Sequence, residues 1–400
     1  MTTTHARDEP NYPLATSSWD DQELAALQRV IESGRFTMGA EVAAFEEEFA
    51  RLVDARYAVM VNSGSSANLL MVASMFYRDS NPLRPGDEVI VPAVSWPTTY
   101  YPLHQYGLKL VFVDVDSKTL NMDLNGLAAA ISDRTRLVMA VNLLGNPNDF
   151  NAISALIGGK GIELVEDNCE SLGAMFEGKQ AGTFGTAGSF SSFFSHHIST
   201  MEGGVVVTND EELYHILLCL RAHGWTRNLP PVNRVTGRKS DDAFEESFNF
   251  VLPGYNVRPL EMEAAVGRVQ VRKAPQFVEQ RRRNAAYFRT SMSDQGLFDL
   301  QAEVGQSSWF GFSLVLRQNT PLQRRDVVTA LEREGIECRP VVAGNFAKNP
   351  VLRFMDHQIV GDLPNAHRID THGLFVGNQE RDLRTQIDLL ASVAQDLERV

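Results

Sequence analysis

The chain has 400 residues, more than a single hydrophobic core usually supports, so two closely packed domains are expected. At 44% hydrophobic and 22% charged it has an ordinary globular composition, which argues against disorder. A net charge of −13 argues against nucleic acid as a main partner, yet an anionic ligand can still be held in a locally basic pocket.

The N-terminal stretch Met1–Leu14 is polar and lacks the apolar segment of a secretory signal. No run approaches the roughly 18 apolar residues of a membrane span, so no membrane partner and a cytoplasmic location are expected. Helical periodicity covers Asp21–Ser33 and Ala40–Leu52, with the acidic run Glu46-Glu47-Glu48 mostly facing water. Strands and helices then alternate. Tyr57–Val61 reads as a strand, Ser65–Tyr77 as a helix, and Glu88–Pro92, Lys109–Val115, Leu137–Asn142 and Ile162–Glu166 as further strands. That alternation predicts an α/β domain with a mostly parallel sheet. Ser189–Phe194 and Gly204–Thr208 read as two more strands joined by a histidine-bearing loop. After Ala264 a long Arg-rich helical stretch leads into the strand-like Phe310–Leu316, a helix at Arg324–Glu334 and an extended Ile336–Val342. The reading is a large domain over residues 1–264 and a smaller C-terminal α+β domain over 265–400. Arg281-Arg282-Arg283 is read as a solvated helix face.

The cysteines Cys169, Cys219 and Cys338 lie far apart without a CxxC pair, which favours neither a zinc site nor a disulfide framework. An odd count fits a reducing compartment.

Several short segments carry candidate chemistry. In Asn62-Ser63-Gly64-Ser65-Ser66-Ala67 a strand runs into a helix start, where Gly64 permits close backbone approach and Ser65 with the helix N–H groups can hold a phosphate. Taken alone such a segment is more often just a capped helix. Trp96, after the strand Glu88–Pro92, can stack on a flat ring or serve as a core or interface residue. Asp167, at the end of an apolar strand, can pair with a protonated ring nitrogen or cap a helix. If a helix starts there, Glu170 falls one turn on along the same face. Ser191 precedes His196 in the loop and can add a phosphate contact.

Jointly these segments resemble the sugar aminotransferase/dehydratase family of pyridoxal phosphate (PLP) enzymes, DegT/StrS type. The loop Phe190–Gly204 is similar to that family's F-S-F-x-P-T-K-x-I-T-x-G-E-G-G, except that His196 stands where the lysine is usual. The likeness runs from Ser33–Gly39 and Phe45–Ala50 through Gly254-Tyr255-Asn256-Val257-Arg258, Glu263–Gly267 and Arg339-Pro340 to Gly344–Phe346 and Pro364–Ala366. It implies an α/β fold of aspartate aminotransferase type (PLP fold type I), with a mostly parallel sheet in the large domain and a smaller α+β domain. It also implies a cofactor set of Gly64, Ser65, Trp96, Asp167, Glu170 and Ser191. Asn256 would reach the phosphate in a neighbouring subunit, which makes a homodimer with interfacial active sites.

Imidazole cannot form the lysine's covalent link to PLP. Family members with this histidine are sugar 3-dehydratases, and the His196-His197 pair and Glu170, where aminotransferase relatives commonly carry Gln, favour that branch. The resemblance therefore implies C3 dehydration of a nucleotide-linked 4-keto-6-deoxy hexose; the branch acting on GDP-4-keto-6-deoxymannose, on the route to colitose, is the most similar, while the base and the sugar configuration stay open. The cofactor cycles between PLP and pyridoxamine phosphate (PMP), L-glutamate donates the amine, and His196 is the acid and base. His197 is read as structural. A [2Fe–2S] cluster, as in CDP-linked relatives, normally takes four cysteines; this chain has three, so none is expected. No metal site is expected either. Two rivals remain: an ordinary nucleotide-sugar aminotransferase using a displaced lysine such as Lys179, and an inactive binder of PLP or sugar nucleotide. Arg221–Arg227, the insertion-like Asn228–Ser247 and Gly377-Asn378-Gln379 are candidates to shape the sugar pocket.

Overall fold

The protein is described by a computed structural model over residues 10–293, 296–318 and 320–399. Residues 1–9, on which much of the leader reading rests, lie outside the described residues. Short apolar runs form one eight-stranded sheet in the order Tyr57–Val61, Gly204–Thr208, Ala187–Ser191, Glu163–Asp167, Thr135–Val141, Glu88–Pro92, Lys109–Val113 and His357–Ile359. Neighbours from Ala187–Ser191 through His357–Ile359 are parallel, and Gly204–Thr208 runs antiparallel to both of its neighbours. Helices cover both faces, so the strands lose the polar alternation of a one-sided sheet; Glu88–Pro92 and Gly204–Thr208 are buried at every position. The strand order reverses at Glu88–Pro92, which pairs with Lys109–Val113 on one side and Thr135–Val141 on the other. In open α/β sheets the crevice beyond the carboxyl ends at such a reversal is where ligands bind.

A second, antiparallel sheet orders Phe298–Leu300, Gly311–Leu316, Gly373–Gly377 and Cys338–Arg339. The helices Arg324–Arg333 and Arg384–Glu398 complete this smaller α+β unit, with a core around Phe288, Phe312, Leu314 and Leu331. The 31-residue helix Glu261–Ser291 is continuous across positions 264 and 265. It buries Ala264 and Val271 in the large unit and Ala285 and Phe288 in the small one. Two segments cross between the units. Tyr12 is fully buried in the smaller core, its hydroxyl donating to the Gly377 carbonyl at 2.7 Å. In the opposite direction, Phe346, Leu352 and the edge strand His357–Ile359 return to the large unit.

Several sequence expectations are corrected. The acidic run does not face water as a block: Glu46 pairs with buried Arg221 and Glu48 with Arg268, leaving Glu47 exposed. The arginine run is not a solvated face. Arg281 is buried, Arg282 donates to the carbonyls of Ser307 and Gly173, and only Arg283 is exposed. No helix starts after Asp167; Glu170 sits in a turn. Asn228–Ser247 folds as a small hairpin, Val232–Asn233 with Gly237–Arg238, followed by the short helix Ala243–Glu246.

Candidate active site

The carboxyl ends of the parallel strands bring the candidate residues to one edge of the sheet. Tyr57–Val61 leads to Gly64 and Ser65, Glu88–Pro92 to Trp96, Ala187–Ser191 to the histidine loop, and Glu163–Asp167 ends on Asp167 itself. Ser63 caps the helix Gly64–Ser74, its hydroxyl accepting from the Ser66 N–H at 3.1 Å. Other first-turn N–H groups of such a helix have no intrahelical partner and suit an anion. A Cβ on Gly64 would lie 2.6 Å from the Ser191 Cβ and 3.0 Å from the Cys169 sulfur, so only glycine lets the helix start and the strand end close into one cup. The Ser65 hydroxyl on its rim donates to Thr98 at 2.9 Å.

Asp167 is 5% exposed and fully engaged. Its Oδ2 accepts from the Asn68 amide at 2.8 Å and the Thr99 hydroxyl at 2.7 Å, and its Oδ1 accepts from the Cys169 N–H at 3.1 Å. Ser189 in turn donates to Asn68 Oδ1 at 2.6 Å, and Thr99 exchanges a 2.8 Å hydrogen bond with Ser95. These donors fix the direction of the carboxyl group. Sequence reasoning missed Asn68, Thr99 and Ser189. Helical spacing offered one signal: Asn68 lies one turn after Gly64, on the same side of its helix.

Glu170 approaches from the turn after Asp167, and its Oε2 accepts the Leu144 N–H at 2.9 Å. Burial pushes its carboxyl up to about 7, with the Asp167 charge adding to the effect and the Leu144 N–H opposing it. Glu170 is therefore poised near neutrality between an acceptor and a hydroxyl donor. Trp96 stands 58% exposed at the start of the helix Pro97–Gln105, free to lie against a ring at the sheet edge.

The His196 ring lies between two aromatic rings, with centroids 6.0 Å from Phe193 and 5.1 Å from Phe310. Its Nδ1 is buried without a hydrogen-bond partner. Burial and then the Arg281 charge push the imidazole down to about 4, so it is neutral at physiological pH and able to accept a proton. His197 is 3% exposed and turns inward, its Nε2 3.1 Å from the Ser308 carbonyl. Asn256 is exposed, its Oδ1 accepting from Arg258 at 3.0 Å. It is joined to the cup residues by no hydrogen bond among the described residues. Lys179 lies exposed on a separate two-stranded hairpin, its Nζ 4.7 Å from the centre of the Phe184 ring, and is not part of this edge.

The loop, the carboxylate and the cup carry the family signature in space as well as in sequence, and residues 17–380 match the DegT/DnrJ/EryC1/StrS aminotransferase family. The chain belongs to that family. GDP-4-keto-6-deoxy-D-mannose 3-dehydratase of Yersinia pseudotuberculosis is 58% identical to it over 384 residues, 96% of this chain and 98% of that protein. Two solved structures of GDP-4-keto-6-deoxymannose 3-dehydratase superpose at a TM-score of 0.95 with 56% identity, over 96% of this chain and 100% of theirs. One holds a trapped PLP–glutamate geminal diamine; the other, a histidine-to-asparagine variant, holds GDP-perosamine. The fold is PLP fold type I, as the mostly parallel sheet and these likenesses establish.

The residues present fit PLP. The Gly64–Ser65–Ser191 cup suits a phosphate, the Asp167 carboxyl oriented by neutral donors suits a pyridine nitrogen, and the orphaned His196 Nδ1 marks a polar group unsatisfied by protein. Among the described residues no cluster of three or more His, Cys, Asp or Glu is arranged to hold a metal ion, and no helix is long and apolar enough to cross a membrane.

Proposed function

We propose that this chain is a PLP/PMP-dependent 3-dehydratase that removes the C3 hydroxyl of GDP-4-keto-6-deoxymannose, with L-glutamate as amino donor. One observation carries the reading: the loop beside the cup presents a half-buried, neutral imidazole, His196, with its Nδ1 unpartnered, and no lysine between Ser191 and Gly204. The 58% identical dehydratase and the glutamate- and GDP-sugar-bound structures support the substrate and donor.

When bound, PMP supplies an amine for the C4 ketone and a conjugated ring that takes up electrons. Gly64, Ser65 and Ser191 would hold its phosphate, Trp96 would stack on the ring, and Asp167 would keep a proton on the ring nitrogen. Glu170 faces the phenolic oxygen. His196 accepts the proton from the C4′ carbon. Once protonated, its imidazole is a stronger acid than usual, because burial and Arg281 both disfavour the cation. It can therefore pass the proton to the departing C3 hydroxyl. The balance is one oxygen lost from the sugar, with one 2-oxoglutarate and one ammonia formed per glutamate.

The functional unit is a homodimer, with Asn256 reaching the partner's phosphate. Near it in sequence Phe244, Phe248 and Phe250 are 86%, 66% and 53% exposed, an apolar patch that favours a protein contact. Sugar nucleotides and glutamate are cytoplasmic metabolites, and the chain acts there.

The test is the mass of the sugar after incubation with PLP, glutamate and GDP-4-keto-6-deoxymannose, without a reductase. Loss of one oxygen is expected. A sugar that gains an amino group would establish an aminotransferase instead. An unchanged sugar, with PLP absorbance unmoved by glutamate, would establish a binder without chemistry.

A further inference from the structure

Arg281 is a charged side chain that forms no ion pair among the described residues. It projects from the helix Glu261–Ser291 and is 3% exposed. Its guanidinium donates to the carbonyl of Phe310 at 3.2 Å and to the carbonyl of Asn378, and its Nε has no partner. Glu380 attracts it without forming an ion pair among the described residues, and burial pushes the guanidinium down to about 10. A buried cation held only by neutral carbonyls is costly. Such a group calls for a reason beyond packing.

The reason lies across Phe310. The carbonyl of that residue is fixed by Arg281, while its ring lies 5.1 Å from the His196 ring and 5.9 Å from the His197 ring. Asn378 completes the frame, since its side chain donates to the Trp309 carbonyl at 2.8 Å and to the Arg281 carbonyl at 3.1 Å. Gly377-Asn378-Gln379, which sequence reading tied only loosely to the pocket, thus holds the segment behind the histidines. We propose that Arg281 is a positioning residue for the reaction: it clamps Phe310 against His196 and keeps a fixed positive charge behind the imidazole, so that the base enters each turnover uncharged.

The charged and titratable groups around the imidazole are few. Arg281 faces it from the helix and His197 adjoins it in the loop. Ser308, Trp309 and Phe310 bring no charge from the third side, and Arg282 is turned to the Ser307 and Gly173 carbonyls. Glu380 attracts Arg281 without pairing with it among the described residues, so the Arg281 charge still acts on His196 across a site of low polarity.

The inference rests on His196 being the base, and the experiment separates the two. Dehydration by the wild-type holoenzyme is followed from pH 4 to 9 beside Arg281→Met and Arg281→Lys. The expected result is an acid limb of kcat/KM that moves up by about one pH unit in Arg281→Met and is restored in Arg281→Lys, which keeps the charge. A folded Arg281→Met enzyme with an unmoved acid limb overturns the proposal; absence of dehydration in the wild type overturns the function instead. If Arg281→Met fails to fold, Arg281→Gln, whose amide can still donate to a carbonyl but carries no charge, takes its place: an acid limb moved up as expected of Arg281→Met supports the proposal, and a folded Arg281→Gln enzyme with an unmoved limb overturns it.

Discussion

The Thr99 hydroxyl donates a 2.7 Å hydrogen bond to Asp167 Oδ2, and both residues are buried. Thr99 comes from the first turn of the helix Pro97–Gln105, while Asp167 ends the strand Glu163–Asp167 on the far side of Thr135–Val141. The bond thus spans the point where the strand order reverses. It ties the loop bearing Trp96 to the carboxylate proposed to hold the ring nitrogen, so that two contacts to one ring are set by a single rigid link.

Thr99→Val keeps the shape and deletes the donor. Asp167 Oδ2 then retains only the Asn68 amide, and an under-satisfied buried carboxylate costs about 1–3 kcal/mol. PLP dissociation, followed by cofactor absorbance after gel filtration, should become roughly tenfold easier, with a smaller loss from Thr99→Ser. Equal PLP retention by Thr99→Val and wild type would show that Asn68 alone orients the carboxylate.

Gly64→Ala tests the cup. The added methyl would lie 2.6 Å from the Ser191 Cβ, closer than packed carbons approach, although alanine by itself favours a helix start. The expected variant is folded, with PLP affinity reduced at least tenfold and inorganic phosphate no longer competing for the site. Fluorescence titration with PLP reads the outcome; unchanged affinity would place the phosphate elsewhere.

Much of the site is legible in the sequence because strand ends mark it. Gly64, Trp96, Asp167 and His196 each follow an apolar run whose end can be located from hydrophobicity, and chain order then brings the ends together. Asn68 and Ser189 are illegible for the opposite reason: they lie inside elements, where a polar residue reads as tolerated rather than purposeful. The arginine run shows composition overriding periodicity. Val278, Arg281, Ala285 and Phe288 occupy one buried helical stripe, so the spacing already placed Arg281 inward. The turn at Glu170 is set by its contact with Leu144, distant in sequence, which no local pattern predicts. The crossing of Tyr12 into the smaller core is equally a matter of tertiary packing.

His196→Lys restores an amine at the loop position. The variant should bind PLP covalently, seen as a borohydride-stable mass increase, and its deoxygenation should fall by a factor of 100 or more, since a lysine recaptures the cofactor and has a far higher basicity. Retained deoxygenation in that variant would remove His196 from the reaction. His196→Asn separates the roles: PLP should still bind noncovalently, because the cup and Asp167 are untouched, while sugar turnover is lost.

Glu170 gives the apoprotein a characteristic pH dependence. Its carboxyl is raised to about 7 in the folded chain from an ordinary value of 4.5, chiefly by burial. Between those values the unfolded chain has lost the proton and the folded chain keeps it, so the folded state binds more protons. Linkage then requires stability to fall as pH rises through this window and to level off above it. The full effect is on the order of 1–3 kcal/mol. Glu170→Gln cannot ionise, yet its amide oxygen can still accept the Leu144 N–H. The melting temperature of the variant relative to wild type should therefore rise by several degrees between pH 5 and pH 8. Taking this difference cancels other titrating groups, including His196, whose depressed imidazole removes stability in the opposite direction as pH falls from about 6.5 towards 4. Parallel melting curves for the two proteins across that range would show that Glu170 ionises freely, and its proposed contact with the phenolic oxygen would then be made as a carboxylate.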